Sequence, residues 1–327
     1  MKANAIIRIV LFSLAILVLF SILLGFLAFG IFRSGVKTRI EQIEPIAGQT
    51  DIHTIIPDIQ NIEIEWVAGS ITFQKDDVSS ITVQEFSPVE SKYKMVVKQS
   101  GQTLKIQYSD SDSIIFPFGI NIDISKDLVI KVPENWECNS LEVDTASAEM
   151  TLNDLSVRKF DFDGASGVCE INNCSIGELD IDTASGNVHF SGTLKTLDCD
   201  AVSADCNVEV FNIPDKIKMK GISGDLELIL PSDAGFTCDL DTMSGSFNTD
   251  FEFVMNDNFY ICGDGNCKIN VNAVSGDVNI LKGIEKASAA MSHHCADPSC
   301  TDPSHNYSYA CTIADCNDSE HSHYQHH

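Results

Sequence analysis

Arginine is the scarcest charged residue of this 327-residue chain. It occurs only at Arg8, Arg33, Arg39 and Arg158, and the first three flank an apolar N-terminal stretch. Asp and Glu number 47 against 21 Lys and Arg, which gives a formal net charge of −26. A surface that binds nucleic acid needs Lys and Arg in quantity, so this composition excludes that class of function. An acidic body is also repelled by anionic lipid headgroups, so membrane attachment requires a dedicated segment.

Histidine is equally sparse in the body of the chain, where His189 is the only one between residues 54 and 292. A serine nucleophile needs a nearby base, which is most often His. An enzyme that works with clustered carboxylates needs a basic group to take a proton or to stabilise charge. We therefore expect no catalytic residues. A β-helix enzyme acting on polysaccharides is the less favoured alternative.

Residues 9–32 form one continuous apolar run that contains no charged side chain. As a helix this run is about 36 Å long, enough to cross a hydrocarbon core of about 30 Å. The alternative is a cleaved signal peptide, whose apolar region usually spans about 7–15 residues. We expect an uncleaved transmembrane helix that contacts the lipid bilayer, with the N-terminus inside and the body outside. Lys and Arg are nearly balanced across the run, so the orientation depends on the shortness of the segment before it.

A short motif recurs from residue 144 to residue 281 and predicts the fold. Its versions are DTASAEMTL, DGASGVCEI, DTASGNVHF, DAVSADCNV, KGISGDLEL, DTMSGSFNT and NAVSGDVNI. Apolar residues follow the serine at three and five positions in nearly every version, and this period of two is typical of half-buried strands. The serines lie at Ser147, Ser166, Ser185, Ser203, Ser223, Ser244 and Ser275.

The motif predicts an all-β fold, a β-solenoid or flattened β-roll of two-strand coils of about 19 residues. A single coil cannot bury its apolar face, so neighbouring coils must stack on it about 4.8 Å apart. Glycine after the serine in five of the seven versions indicates a corner that needs positive φ or close backbone approach. Residues 52–133 alternate less regularly, and Thr38–Ile43 is the one short helix that the remaining sequence suggests.

Several segments of the chain resemble a known protein family. They are the serial SG steps and the pieces IEIEWVAGSITF, LVIKVPENWECNSLEVDTASAEMTL and GDGNCKINVNAVSGDVNIL. Over residues 51–282 the chain resembles the bacterial "putative adhesin" family of β-strand-repeat proteins. The resemblance implies a β-solenoid in an envelope setting, with GDGNCKINVNAVSGDVNIL as the closing coil, and brings no catalytic residues.

Stacking turns each position of the motif into a column. We expect the serines to satisfy turn amides at a tight corner, and the apolar residue just before each serine to point inward. The position three before the serine is acidic in five of the seven versions. We expect these carboxylates to lie in solvated turns, with a Ca²⁺ site as the alternative. The column contains Asp144, Asp163, Asp182, Asp200, Lys220, Asp241 and Asn272.

The tail after Lys286 holds no Lys or Arg but contains seven of the nine His and four of the twelve Cys. A C-x4-C-x4-H unit occurs twice within it, so the tail carries a short repeat of its own. Thiolate and imidazole ligands favour Zn, Cu or Ni, so the tail is a candidate metal site. Two disulfides, or a tail with no ligand, are the alternatives. The candidate ligands are Cys295, Cys300, His305, Cys311, Cys316 and His321.

The other eight cysteines raise a question about location. Cys169, Cys199 and Cys206 fall at inward strand positions, where Cys acts as a small apolar residue. Cys169 and Cys206 are two coils apart and too distant for a disulfide, whereas Cys262 and Cys267 could pair across a turn. Many unpaired thiols fit an oxidising exterior poorly. They therefore indicate either an anaerobic or weakly oxidising exterior, or a body that is not exported.

The sequence predicts a stub at 1–8, a transmembrane helix at 9–32, a juxtamembrane linker at 33–50, a β-repeat domain at 51–283, a linker at 284–292 and a Cys/His-rich tail at 293–327. We expect a non-catalytic, membrane-anchored envelope protein whose solenoid binds an envelope protein or polymer. The alternative is a metal-sensing or metal-buffering membrane protein with the solenoid as its stalk. Removal of the tail distinguishes the two functions.

Overall fold

The computed structural model describes residues 41–42, 52–55, 58–86, 94–109, 125–256 and 259–283. The predicted stub, transmembrane helix, linker at 284–292 and Cys/His tail lie outside these ranges, as does most of the juxtamembrane linker. The described residues contain no helix of the length and apolarity that crossing a membrane requires. The predicted helix at 38–43 is wrong at its two described residues, which form a strand.

The described residues form twenty β-strands joined in one hydrogen-bonded system, so the all-β prediction is confirmed. The first seven are β1 Glu41–Gln42, β2 Ile52–Thr54, β3 Asn61–Asp76, β4 Thr82–Phe86, β5 Val96–Ser100, β6 Thr103–Gln107 and β7 Lys126–Pro133. The repeats follow as β8 Glu137–Asn153, β9 Ser156–Gly164, β10 Cys169–Ser185, β11 Val188–Ser203, β12 Cys206–Val210, β13 Lys216–Ser223 and β14 Leu226–Leu230. The last six are β15 Phe236–Ser244, β16 Phe247–Thr249, β17 Val254–Asn256, β18 Phe259–Cys262, β19 Cys267–Ser275 and β20 Val278–Lys282.

Eight coils stack through parallel, in-register pairing. Each has a longer strand segment before the serine corner and a shorter one after it; we call these the long side and the short side. Coil 1 is β3, coil 2 is β8, coil 3 is β9 with the start of β10, and coil 4 is the rest of β10 with the start of β11. Coil 5 is the rest of β11 with β12, and coil 6 is β13 with β14.

The order of the last two coils differs from their order in the sequence. The segment β19–β20 pairs with β13–β14 on one side and with β15–β16 on the other. It is therefore coil 7, and the earlier segment β15–β16 is coil 8. The expectation that GDGNCKINVNAVSGDVNIL forms the outermost coil is wrong, because the hairpin of β17 and β18 returns the chain beneath coil 8. This detour explains why the step from Ser244 to Ser275 is longer than every other step of the motif.

The two ends of the stack are capped differently. At the first end, β6 and β7 extend the two sides of coil 1, and the antiparallel strands β5 and β4 cover them. At the other end, β18 covers part of β15, while β16 pairs only with β20 among the described strands. The hairpin at this end exposes several large apolar side chains, namely Phe253, Val254, Met255 and Phe259.

A buried lysine fixes the first cap to coil 1. Lys126 is 1 % exposed, and its Nζ lies 3.4 Å from Glu85 Oε2 and 3.8 Å from the ring centroid of Tyr108. The Nε1 of Trp66, in coil 1, donates a 3.0 Å hydrogen bond to the Lys126 carbonyl oxygen. Burial lowers the pKa of Lys126 to about 8, although Glu85 opposes this shift. A buried charge is tolerated only when it is paired, and this cluster supplies a carboxylate and two aromatic faces.

One apolar core runs between the two sides of the stack. The predicted alternation is confirmed, because the residues three and five after the serine are buried in coils 2 to 7. The prediction for the residue before the serine is wrong: Ala146, Ala165 and Ala184 are half-buried, and Met243 is 45 % exposed. The inward column lies one place earlier and includes the buried residues Thr145, Thr183 and Ala201. Side chains alternate across a strand, so the residue before the serine shares the outward face of the residue two places earlier, which is the acidic column.

The serine corner works differently from the prediction. The hydroxyls of Ser147, Ser166 and Ser185 donate hydrogen bonds of 3.2–3.3 Å to carbonyl oxygens of the preceding coil, and do not accept from turn amides. The glycine prediction is confirmed, since all five glycines that follow a serine have φ between 117° and 132°. Coil 1 has the same corner with Ala68 and Gly69 in place of Ser and Gly. The sequence motif therefore misses this eighth coil.

Replacing a corner glycine should destabilise the stack. A Cβ on Gly186 would lie 2.8 Å from the carbonyl carbon of Gly167 in the preceding coil, and its φ is 117°. We expect Gly186→Ala to lower the free energy of unfolding by about 2–4 kcal/mol, because backbone strain and backbone overlap add. Gly221→Ala is the matched control, since its Cβ would lie 3.7 Å from the Leu226 side chain. Equal effects of the two substitutions in denaturant unfolding would contradict the account of the corner.

Candidate functional site

Ten carboxylates form a two-lane array on the outer surface of the long side in coils 1 to 5; we call it the carboxylate face. Parallel in-register pairing aligns each carboxylate with its counterpart in the next coil, at the strand spacing of about 4.8 Å. The first lane is Glu63, Glu142, Asp161, Asp180 and Asp198, and the second is Glu65, Asp144, Asp163, Asp182 and Asp200.

The structure corrects the sequence interpretation of these residues. The acidic column was predicted to lie in solvated turns, but its members lie within strands, three residues before the corner serine. The first lane was missed altogether. The signal that could have revealed it is the D-x-D or E-x-D pattern before five of the seven serines, because residues two apart on a strand face the same side.

Lysines close the face at both ends. On β6, Lys105 forms ion pairs with Glu65 and, at 3.7 Å, with Glu63. In coil 6, Lys218 Nζ donates to both oxygens of Asp198 at 2.7 and 2.6 Å, and Lys220 Nζ lies 2.5 Å from Asp200 Oδ2. Coil 7 continues the two lanes with the neutral side chains Asn270 and Asn272. The carboxylate face is therefore a bounded patch.

In the interior of the face, the negative charges of the carboxylates are only partly neutralised by nearby Lys side chains. Lys159 pairs with Asp161 at 3.2 Å, but no Lys or Arg among the described residues forms an ion pair with Asp144, Asp163 or Asp182. Burial and then the neighbouring carboxylates raise the pKa of Asp144 to about 7 and those of Asp163 and Asp182 to about 6. The same causes raise the pKa of Glu142 and Asp180. Each added negative charge destabilises its neighbours, so the interior favours protons or an external cation.

A raised carboxyl pKa is also a mark of acid–base catalysis, but its distribution here is different. An active site sets one or two groups apart from their surroundings, whereas these shifts are shared by five residues in three successive coils. His189 lies on the short side of coil 4, aligned with Glu170 and Asn207. The described serine hydroxyls at 147, 166 and 185 are engaged with backbone carbonyls.

The metal predictions have two outcomes. Cys295, Cys300, His305, Cys311, Cys316 and His321 all lie outside the described residues, so their assignment stays a prediction. Within the described part of the chain, no group of three or more His, Cys, Asp or Glu side chains is arranged to hold a metal ion.

The cysteines of the repeat domain are free, buried thiols. The inward positions of Cys169, Cys199 and Cys206 are confirmed, and the first and last are two coils apart. The suggested Cys262–Cys267 pair is wrong, because β15 lies between their strands and Phe236 is the partner of both residues. Two strand spacings make about 10 Å, which exceeds the Cα separation of a disulfide.

The face makes stability depend on pH in a defined direction. The folded pKa values of Asp144, Asp163 and Asp182 lie above the usual aspartate value of 3.8, so the folded state binds more protons between about pH 4 and 7. We expect the melting temperature to rise as the pH falls from 8 to 5. The free energy of unfolding should increase by about 1–2 kcal/mol over this range after solvent screening. Asp182→Asn should raise the melting temperature at pH 8 and weaken this dependence. Asp233→Asn, in the turn before β15, is the control; a melting temperature that falls steadily from pH 8 to 5 would contradict the account.

One family model and several solved structures match this chain. The family model described as Toastrack DUF4097 matches residues 59–281. No curated protein matches the chain. Similar solved structures include a putative cell adhesion protein from Clostridium sporogenes, at 12 % identity, a TM-score of 0.33 and coverage of 75 % of this chain and 98 % of that one. A putative adhesin from Bacteroides fragilis has 12 % identity and a TM-score of 0.37, and the match covers 72 % of this chain and 99 % of that one. A putative lipid binding protein from Parabacteroides distasonis has 12 % identity and a TM-score of 0.31, and the match covers 72 % of this chain and 96 % of that one. Because the family model covers more than half of the chain, this protein belongs to the Toastrack DUF4097 family.

Proposed function

We propose that this protein is a non-catalytic interaction protein of the cell envelope, and that its carboxylate face binds a partner rich in basic groups. The observation that carries the proposal is the uncompensated interior of the face. Asp144, Asp163 and Asp182 stand in register in adjacent coils, and no described Lys or Arg pairs with them. Ammonium or guanidinium groups that enter the face relieve this repulsion and gain charge-assisted hydrogen bonds.

The geometry of the face defines the kind of partner. Carboxylates repeat about every 4.8 Å along the stack, and the two lanes are two residues apart along each strand. An extended chain presents side chains on one face at about 6.6–6.8 Å, so a basic segment can contact several coils without a unique register. A protein segment or polymer with serial positive charges therefore suits the face better than a small molecule, because the face is an open strand surface.

A cationic probe tests the assignment. Decalysine should bind the full-length protein in detergent, with an affinity that falls steeply as salt rises. Neutralising the interior of the face with Asp163→Asn and Asp182→Asn should weaken binding about tenfold, or about 1.4 kcal/mol. The control variant, Glu170→Gln with Glu209→Gln, removes the same charge from the short side, where both residues are outward-facing. Equal weakening in the two variants would mean attraction to net charge alone and would reject the face as the binding site.

We further propose that residues 9–32 anchor the chain, that the repeat domain lies outside the membrane, and that the tail holds a transition metal. The uncharged apolar run supports the anchor, and the duplicated C-x4-C-x4-H unit supports the metal. Metal sensing or buffering by the tail is the second candidate function. It is independent of the carboxylate face, so removing residues 287–327 should abolish it and leave decalysine binding intact.

Thiol labelling of intact cells tests location and metal binding together. A membrane-impermeant maleimide should modify the four tail cysteines only after treatment with a metal chelator, since bound metal blocks thiolates. Labelling without chelator would reject the metal site, and labelling only after a reductant would replace it with disulfides. Labelling that requires permeabilised cells would reject the exported orientation. The eight buried cysteines of the repeat domain serve as the unlabelled background.

A further inference from the structure

Two buried cysteines face each other across the serine corner of coil 5. Cys199 lies on the long side four residues before Ser203, Cys206 begins the short side, and their Sγ atoms are 2.9 Å apart. Both side chains are at most 1 % exposed. A disulfide bond is about 2.05 Å long, so the sulfurs are within about 1 Å of bonding distance.

In each of the remaining seven coils, these two positions hold a different pair of residues. The residues four before and three after the corner are paired across the core, and in the other coils at least one is a larger apolar side chain. Coil 5 is alone in having cysteine at both positions. The pairs, from coil 1 to coil 8, are Ile64 and Ile71, Val143 and Met150, Phe162 and Cys169, Ile181 and Val188, Cys199 and Cys206, Met219 and Leu226, Val271 and Val278, and Leu240 and Phe247.

A lone cysteine in such a column is explained by packing, as Cys169 shows, because a thiol behaves as a small apolar group. Packing alone gives no reason for placing two small side chains opposite each other in one coil with their sulfurs in contact. Register fixes both cysteines: Cys199 lies between Ile181 and Met219, and Cys206 lies between Val188 and Leu226. The backbone ladders on both sides therefore hold the two sulfurs together.

We propose that Cys199 and Cys206 form a disulfide bond that joins the long and short sides of coil 5. The oxidant is a disulfide such as oxidised glutathione or a disulfide-carrying oxidoreductase. One cysteine thiolate attacks it, forms a mixed disulfide and releases one thiolate; the second cysteine thiolate then attacks the mixed disulfide and releases the other. The two cysteine protons pass to the released thiolates, and the two electrons reduce the oxidant. Because both sulfurs are buried in the finished fold, the reaction takes place while coil 5 is still opening or closing.

The bond has consequences for stability and for location. It closes a short loop around the serine corner, and loss of this constraint should lower the melting temperature by about 5–10 °C. It also removes two of the eight free thiols that argue against an exported repeat domain. The proposal does not depend on the carboxylate face or on the orientation of the anchor, since the oxidant can be supplied to the purified protein.

Peptide mapping tests the proposal directly. Reduced, urea-unfolded full-length protein is refolded in detergent with oxidised and reduced glutathione, then denatured with an alkylating reagent and digested with trypsin. The peptide 196–216 contains Cys199 and Cys206 and no other cysteine, and the peptide 160–195 contains Cys169 and Cys174. We expect 196–216 to be about 2 Da lighter than its reduced form and free of alkyl groups, whereas 160–195 carries two alkyl groups.

Two other outcomes would overturn the proposal. Double alkylation of 196–216 would show that the contact does not lead to a bond, and equal oxidation of both peptides would show unselective chemistry. The same buffer with urea retained is the control for the fold, and there 196–216 should stay largely alkylated.

A variant with Cys199→Val and Cys206→Val copies the pair found in coil 7 and should lose the effect of reductant on the melting temperature. An unchanged reductant effect in that variant would assign the stabilising bond to other cysteines.

Discussion

Parallel, in-register backbone pairing between coils is the constraint on which the rest of this structure depends. It fixes the spacing of successive coils, and it places every position of the motif directly above its counterpart. A residue type that costs little stability in one coil forms a column of close neighbours when every coil repeats it. The corner therefore requires glycine where a backbone carbonyl of the preceding coil leaves no room for a Cβ, as at Gly186. It also favours a small hydroxyl side chain that donates a hydrogen bond to a carbonyl oxygen of the preceding coil, as at Ser185.

The carboxylate face is the clearest consequence of that constraint. Strand pairing cannot place Asp163 and Asp182 farther apart, so their repulsion is built into the fold and must be offset by the core and the backbone ladders. A structural role would favour lysine or asparagine at these positions, as coils 6 and 7 have at Lys220 and Asn272. A surface that keeps an unfavourable array of like charge in coils 1 to 5, and neutralises it at both ends, is better explained by a partner that supplies the missing positive charge.

Sequence periodicity predicted the parts of the fold that depend on alternation and on corner chemistry. The inward columns that include Met150 and Leu152, and the positive φ of the corner glycines, follow from local sequence alone. The insertion of coil 7 between coils 6 and 8 does not, because every coil presents the same ladder edges and the sequence cannot state which edge a later coil joins. The buried pair of Lys126 and Glu85 was also beyond prediction, since the residues around Lys126 come from β3, β4 and the position just after β6. The acidic column was recognised, yet its second lane was not, because it becomes a face only once the coils stack.

The order of the coils is the feature that most directly tests in-register stacking. Nitroxide amino acids at outward positions of the short side can report it: Glu227 in coil 6 is the partner of Asn279 in coil 7, and Asn279 is the partner of Asn248 in coil 8. Backbones at 227 and 279 should be about 5 Å apart, and those at 227 and 248 about 10 Å, although the second pair is closer in sequence. The account predicts stronger dipolar broadening of the electron paramagnetic resonance spectrum for the 227/279 pair than for the 227/248 pair. The reverse order would mean that the coils stack in sequence order and would contradict the architecture described above.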